Sequence, residues 1–355
     1  MNRAEKLRMR FTSFADAVLL TDALNQYYIS GFRFTDGFVV VTGRRAHLIT
    51  DSRYAEAARA ALPEGFELHV PGGAGMMAKL RELLREDGVK TLAFEEKRLT
   101  VSAHERLKDA LPGVTLTPSR GIVETLRRCK EPCEIEKIAQ AQKITDAAFA
   151  HIVKTLTPDM TETEVSVELE YFMRRHGAED KSFDTIAVSG RASSLPHGVP
   201  RNVKLESGFL TMDFGCVVDG YHSDMTRTVV LGRADDEMKR LYATVLEAQE
   251  RAIRFASVGE KCAAIDKAAR DFIDEAGYRG CFGHALGHSV GLEIHEAPNF
   301  ASRSADCFEN GHVITVEPGV YIEGKYGCRI EDMICAQNGE VRNLTGAAKE
   351  LIELF

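Results

Sequence analysis

An internal repeat restricts the fold of this chain more than any other feature. Residues 211–220, TMDFGCVVDG, align without gaps to 315–324, TVEPGVYIEG, sharing Thr, Gly and Gly and placing Asp213 on Glu317. A similar offset, about 100 residues, relates a helical pattern over 161–176 to one over 261–276. There Val165 matches Ile265, Phe172 matches Phe272, Met173 matches Ile273 and Gly177 matches Gly277. A solenoid needs several such units. Two copies instead predict one domain with a pseudo-two-fold axis, in which a site on the axis takes equivalent residues from both halves. Asp213 and Glu317 fit that expectation.

Asp213 and Glu317 belong to a set of five with Asp224, His288 and Glu331, each in a strand-like or Gly-rich stretch where a merely solvated carboxylate is unusual. Asp219-Gly220 is a two-residue hairpin signal. A hairpin centred there sets Asp213 opposite Thr226 and Asp224 opposite Gly215. The two aspartates become diagonal neighbours with Cβ atoms about 7–8 Å apart. They repel unless a cation or proton neutralises them, and Gly215 leaves room for a ligand. Glu317 lies in the apolar run VITVEPGVYI, where an unpaired carboxylate is costly to bury. Pro318 there suits an edge strand or bulge. The turn EGKYG (323–327) is too long to set the register of the second hairpin. Four carboxylates and one histidine can hold two hard divalent cations. The sulfur-free set favours Mn²⁺, with Co²⁺ or Zn²⁺ also fitting.

The segment GHALGHSVGLEIHE (283–296) contains His284, His288 and His295, with glycines at 283, 287 and 291 that allow close approach. It is not a zincin helix, because Ala285 stands where the HExxH pattern needs Glu. His197 sits in SSLPHGVP, a loop suited to a site rim. Singly, these groups have bland readings. Asp224 or Glu331 is most often solvated or ion-paired, with Arg329 a candidate partner of Glu331. His197 and His295 alone read as hydrogen-bonded structural histidines, as do His222 and His312.

The rest of the chain predicts two domains. Residues 1–125 alternate strands and helices: strands at 37–42, 45–50 and 91–96, helices near 53–62, 75–87 and 101–110. The Gly-rich loop PGGAGMM (71–77) matches no P-loop and reads as a strand-to-helix turn. The charged stretch RRCKEPCEIEK (127–137) breaks this pattern and puts the boundary near residue 125, so the second domain spans 126–355, and its basic cluster Arg127, Arg128 and Lys130 reads as a solvated linker. There Phe149, Ile152, Val153 and Leu156 make a helical face, and Thr161 and Glu164 a capping box. A formal net charge of -8 argues against nucleic acid or an anionic membrane as partner. No apolar run reaches the roughly 18 residues of a membrane span. Asp16 interrupts the N-terminal segment before a signal-peptide core develops. The eight scattered cysteines read as reduced thiols. A cytoplasmic location is the expectation.

The order Asp213, Asp224, His288, Glu317, Glu331, with HALGHSVGLEIHE (284–296), TVEPGVY (315–321) and RIED (329–332), resembles the pita-bread metallopeptidases, which include aminopeptidase P, prolidase and methionine aminopeptidase. Ala285 departs from the usual pattern. The N-terminal half is similar to the extra domain of the proline-specific branch and of creatinase. The resemblance implies an α+β catalytic domain preceded by an α/β creatinase/prolidase-like domain. It implies that Asp213 binds one metal, that Asp224 and Glu331 bridge two, and that His288 and Glu317 bind the other. A bridging hydroxide would attack the scissile carbonyl, and Glu317 would pass its proton. His197, His284 and His295 would surround the substrate, and Arg329 would orient Glu331 from behind. The implied reaction is release of an N-terminal residue from an Xaa-Pro bond by a homodimer.

Prolidases similar to this chain often carry Arg four residues after the His of their HE-x-P motif, where it holds a dipeptide carboxylate. HEAPN (295–299) puts Asn299 there, which favours longer peptides and makes Xaa-Pro dipeptidase the alternative. Arg303 remains a candidate cation for that role. Two other classes compete: a metal-free hydrolase like creatinase, and a pseudoenzyme that only binds peptides. Retention of all five ligand-type residues argues against both.

Overall fold

The computed structural model describes residues 1–72 and 75–355, so the PGGAGMM loop lies partly outside the described residues, at Gly73 and Ala74. The chain forms two compact units, Met1–Arg127 and Arg128–Phe355.

The first unit is built on a mixed six-stranded sheet. Its order is Phe66–His69, Ala46–Thr50, Gly37–Thr42, Ala17–Leu20, Thr91–Phe94 and Thr115–Pro118. The expected hairpin is antiparallel with Val41 opposite Ala46. Helices Ala55–Ala61, Met76–Glu86 and Val101–Ala110 fall on their expected segments. Leu80, Leu83 and Leu84 pack with Leu19, Val40 and Ile49 in one core.

The second unit carries the repeat into three dimensions. Helices Glu162–Arg175 and Cys262–Ile273 occupy matching places, and the residue before each makes an antiparallel bridge, Thr161 to Lys204 and Lys261 to Cys307. Thr161 forms the expected capping box, donating its N–H to Glu164 at 2.7 Å and accepting from the Glu164 N–H at 3.1 Å. Each half has its own core. One gathers Phe149, Val165, Leu169 and Met212, the other Val245, Ile265, Ile314 and Ile334. The strand pair Gly208–Phe214 and Met225–Leu231 belongs to a four-stranded sheet, and Val313–Val316 and Asp332–Gln337 to a five-stranded one.

In the stretch 127–137, the basic cluster Arg127, Arg128 and Lys130 is not a solvated linker. Arg127 is buried and donates to Asn25 Oδ1 at 2.9 Å. Lys130 is buried against Glu296 at 3.1 Å. The helix Pro132–Thr155 begins inside the stretch, with Glu131 as N-cap and Pro132 in the first turn, where its missing N–H costs nothing. Burying these cations is tolerable because each has a specific acceptor. Among the described residues, no helix is long and apolar enough to cross a membrane.

Candidate metal centre

All five residues sit where strands end or break. Asp213 lies near the end of Gly208–Phe214, Asp224 immediately before Met225–Leu231, and His288 in Gly287–Ser289. Glu317 follows Val313–Val316, and Glu331 lies between Tyr326–Arg329 and Asp332–Gln337. The first hairpin has the expected register, Thr226 opposite Asp213, and turns through Asp219 (φ 49°) and Gly220 (φ 81°). Gly215 serves a different end from the one expected. A Cβ there would stand 2.0 Å from the Ser223 carbonyl oxygen, so the room is taken by backbone, not by a ligand. In the second hairpin Val316 faces Asp332 and Gly319 faces Arg329. Both pairs fall on one continuous register that sets Glu317 opposite Glu331.

Side-chain donors of Asp224, His288 and Glu331 converge, with one ligand atom from each within 4.8 Å of the others. His288 Nε2 stands 3.4 Å from Asp224 Oδ2 and 3.4 Å from Glu317 Oε1. Its Nδ1 lies 3.2 Å from the Ser289 carbonyl, which accepts its proton and leaves the Nε2 lone pair facing the carboxylates. Asp213 joins from the other side, with Oδ2 held by Arg329 Nη2 at 2.6 Å.

Two buried carboxylate oxygens, Asp213 Oδ1 and Glu331 Oε1, make no hydrogen bond. Such atoms are costly unless something absent from the polypeptide satisfies them. Burial, then the charges of Glu331, Asp213 and Glu317, push the Asp224 carboxyl far above its usual range. Burial and the charges of Glu317 and Asp213 do the same to Glu331. Glu317 is pushed up to about 7, chiefly by burial. Without a counter-charge the cluster must hold protons, and a divalent cation is the alternative. Oxygen-rich donors with one imidazole fit a hard or borderline ion.

The residues that hold this cluster were largely missed in the sequence. Arg329 does not pair with Glu331 directly. Its Nη2 binds Asp213, and its Nε donates to Thr226 Oγ1 at 3.0 Å, which in turn donates to Glu331 Oε2 at 2.7 Å. A single guanidinium thus orients Asp213 by contact and Glu331 through one hydroxyl. Thr315 accepts from the His288 N–H at 3.0 Å and donates to Glu317 Oε1 at 2.9 Å. Its signal was available, since Thr315 is the Thr shared by both copies of the repeat. Tyr321 OH accepts from Arg329 Nη1 at 2.6 Å and lies 3.1 Å from His284 Nε2.

His284 lines the same cavity as the cluster, yet both its ring nitrogens are engaged, Nε2 by Tyr321 and Nδ1 by the Ala285 carbonyl at 2.8 Å. Burial pushes its pKa down to about 4, so it is neutral here. His197 and His295 are exposed and line the cavity, whose volume is about 760 Å³. Asn299 lines it too.

The loop bearing His197 is tied down by Glu162, whose side chain is fully buried. It accepts from the Ser189 N–H at 2.7 Å and the Arg201 N–H at 3.0 Å, and pairs with Arg201 Nη2 at 2.7 Å. One carboxylate therefore holds both ends of the segment 189–201. Replacing Glu162 with Ala strands buried donors and costs about 2–3 kcal/mol, in the lower range because Arg201 reaches solvent. The expected readouts are a lower denaturation midpoint and a raised KM. Burial alone would raise the Glu162 pKa, but the bonds from Arg201 and Ser189 outweigh it and the net shift is downward. Its stabilisation is therefore present above the unfolded carboxylate pKa of about 4.3 and lost as pH falls through the lower folded value. The alanine variant should lack that acid-side loss.

A pseudo-symmetric α+β domain with a carboxylate and imidazole cluster opening into a cavity defines a metallohydrolase architecture. The comparisons narrow this. The model of metallopeptidase family M24 matches residues 136–338, and that of the creatinase/prolidase N-terminal domain matches 3–129. The chain belongs to metallopeptidase family M24. It is 36% identical over 340 residues to an Xaa-Pro dipeptidase of Pyrococcus horikoshii, covering 95% of this chain and 94% of that one. Among solved structures, an Xaa-Pro dipeptidase from Bacillus anthracis superposes with a TM-score of 0.95 at 42% identity, covering 99% of each chain. An X-Pro aminopeptidase from Thermotoga maritima superposes with a TM-score of 0.94 at 36% identity, covering 99% of this chain and 100% of that one.

Proposed function

We propose that this metallopeptidase removes the N-terminal residue from peptides with proline in second position, using two divalent ions held by Asp213, Asp224, His288, Glu317 and Glu331. The observation that carries this reading is the pair of unpartnered buried oxygens, Asp213 Oδ1 and Glu331 Oε1, beside Asp224 and His288 in an open cavity. Asp224 and Glu331 would bridge the ions, with Asp213 on one and His288 and Glu317 on the other. Mn²⁺ suits the oxygen-rich set best, and Co²⁺ or Zn²⁺ also fit. Bound divalent ions supply a hydrolytic nucleophile at neutral pH by lowering the pKa of water, and polarise the scissile carbonyl.

The chain's own groups do the rest. Glu317, fixed by the Thr315 hydroxyl, is placed to take a proton from the attacking water and pass it on. His197 and His295 face the cavity with ring N–H groups able to meet the substrate carbonyl and the proline nitrogen. His284 lines the same cavity, its Nε2 held by the Tyr321 hydroxyl that accepts from Arg329. A homodimer in the cytoplasm is part of the same reading, the dimer carried by the family resemblance. Cleavage of an Xaa-Pro-Xaa tripeptide by Mn²⁺-loaded protein tests it. Release of the first residue is expected, and failure with Mn²⁺, Co²⁺ and Zn²⁺ alike would sink it.

Substrate length turns on cations near Asn299. The cavity's Lys and Arg among the described residues are Lys181 and Arg329. Lys181 is paired with Asp184 at 3.0 Å and Glu170 at 3.3 Å, and Arg329 with Asp213. A dipeptide's carboxylate thus meets no uncommitted Lys or Arg, which favours aminopeptidase action on longer peptides. Dipeptidase action is the second reading, favoured by relatives that bear that name. Asn299→Arg should raise kcat/KM for an Xaa-Pro dipeptide roughly 10- to 100-fold, from about 1.5–3 kcal/mol of charged hydrogen bonding. Tripeptide cleavage should change little. If the parent already prefers dipeptides and the variant gains nothing, the length assignment is wrong.

A further inference from the structure

The first unit carries a group of metal-type donors that the proposed reaction does not use. His47 lies in Ala46–Thr50, and Glu67 and His69 in its parallel neighbour Phe66–His69. Register pairs His47 with Glu67, and His69 follows Glu67 by two residues, so the pleat brings all three to one face of the sheet.

Their donor atoms converge. His47 Nδ1 is 3.2 Å from His69 Nε2 and 3.4 Å from Glu67 Oε2, and His69 Nε2 is 3.8 Å from Glu67 Oε2. Ligands held about 2.0–2.1 Å from a tetrahedral Zn²⁺ stand about 3.3–3.4 Å from one another. The spacing is therefore close to that of three corners of such a shell.

A second observation supports a ligand at this place. The other ring nitrogen of His47, Nε2, is buried without a hydrogen bond and faces Asp87 Oδ2 at 3.6 Å. A carboxylate behind a ligating histidine is the usual device for orienting its ring. Asp87 is itself fixed by Arg45 Nη2 at 2.5 Å and Thr42 Oγ1 at 2.6 Å. Burial lowers the pKa of both histidines, which leaves their lone pairs available for coordination. The side chains of His69 and Glu67 are 15% and 45% exposed, so an ion has a way in.

We propose that His47, Glu67 and His69 form a second metal site, separate from the carboxylate centre, that takes a borderline-soft divalent ion of the Zn²⁺ class and leaves a fourth position to water. Two imidazoles and one carboxylate suit Zn²⁺ better than Mn²⁺, whereas the catalytic cluster has the opposite bias. Arg45, 3.4 Å from Glu67 Oε2, works in the same direction by offsetting the negative charge a hard cation would need.

The test is Zn²⁺ binding to the full chain after metal stripping, read by calorimetry and by metal analysis after dialysis. His69→Ala and Glu67→Gln alter partly exposed side chains, and their melting in chelator checks that they fold. Each should bind one equivalent of Zn²⁺ less than the parent, or bind that equivalent at least about tenfold more weakly. The visible absorption of the Co²⁺-loaded His69→Ala variant should lack the component that His69 ligation gives the parent. Equal Zn²⁺ stoichiometry and affinity in the parent and in a folded Glu67→Gln variant would overturn the proposal, whatever the fate of the peptidase reading.

Discussion

Asp224→Asn should lower proline-peptide cleavage by at least about a thousandfold, because under the proposed two-metal reading it removes a bridging carboxylate and with it more than about 4 kcal/mol of transition-state stabilisation. The same variant should separate metal binding from folding. Burial, and then the charges of Glu331, Asp213 and Glu317, push the Asp224 pKa up. A neutral isostere relieves that repulsion, so the metal-free variant should melt no lower than the metal-free parent. Mn²⁺ should behave differently on the two proteins. At about 100 times Kd, a bound ion stabilises the parent by about 2.7 kcal/mol, which corresponds to roughly 5–10 °C in Tm. The variant should show little of that shift. A variant that keeps both its activity and its Mn²⁺ shift would remove Asp224 from the centre.

Arg329→Met should be the most destabilising change near the site. The guanidinium is buried and donates to Asp213, Thr226, Tyr321 and the Pro196 carbonyl. Met preserves volume, but Asp213 loses its bonded cation, and removing one partner of a buried pair costs about 3–5 kcal/mol. Part of this loss should depend on metal. With ions bound, Asp213 has a second cationic partner, so the drop in denaturation midpoint should be smaller in Mn²⁺ than in chelator. An equal drop in both would show that Asp213 is not a ligand. Arg329→Lys should recover little, because one ammonium cannot reach four acceptors that a planar fork spans.

Much of the fold was legible because the signals were local. The β-branched run GFVVVT and the turn Asp219-Gly220 predicted strands and a register that the structure has. The repeat placed two helices at matching positions. Other elements gave no such signal. Ala17–Leu20, AVLL, is buried on both faces, so it lacks the alternation that separates a strand from a helix. The charged stretch 127–137 misled because its acceptors, Asn25 and Glu296, lie about 100 residues or more away in sequence.

The site divides the same way. Four of the five ligand-type residues stood out because carboxylates are rare in apolar strands, and His288 because it lies in the Gly-rich segment 283–291. The hydroxyls of Thr226 and Thr315 did not, because a threonine in a strand is ordinary until its partner is known. Arg329 is expected to orient Glu331, and the structure has its guanidinium bonded to Asp213 and reaching Glu331 only through the Thr226 hydroxyl.

Anomalous diffraction at the manganese edge, from crystals of the full chain soaked in Mn²⁺, tests the central claim most directly. Two peaks should appear inside the cluster, with Asp224 and Glu331 between them, Asp213 beside one, and His288 and Glu317 beside the other. A single peak, or peaks away from these residues, would contradict the two-metal centre.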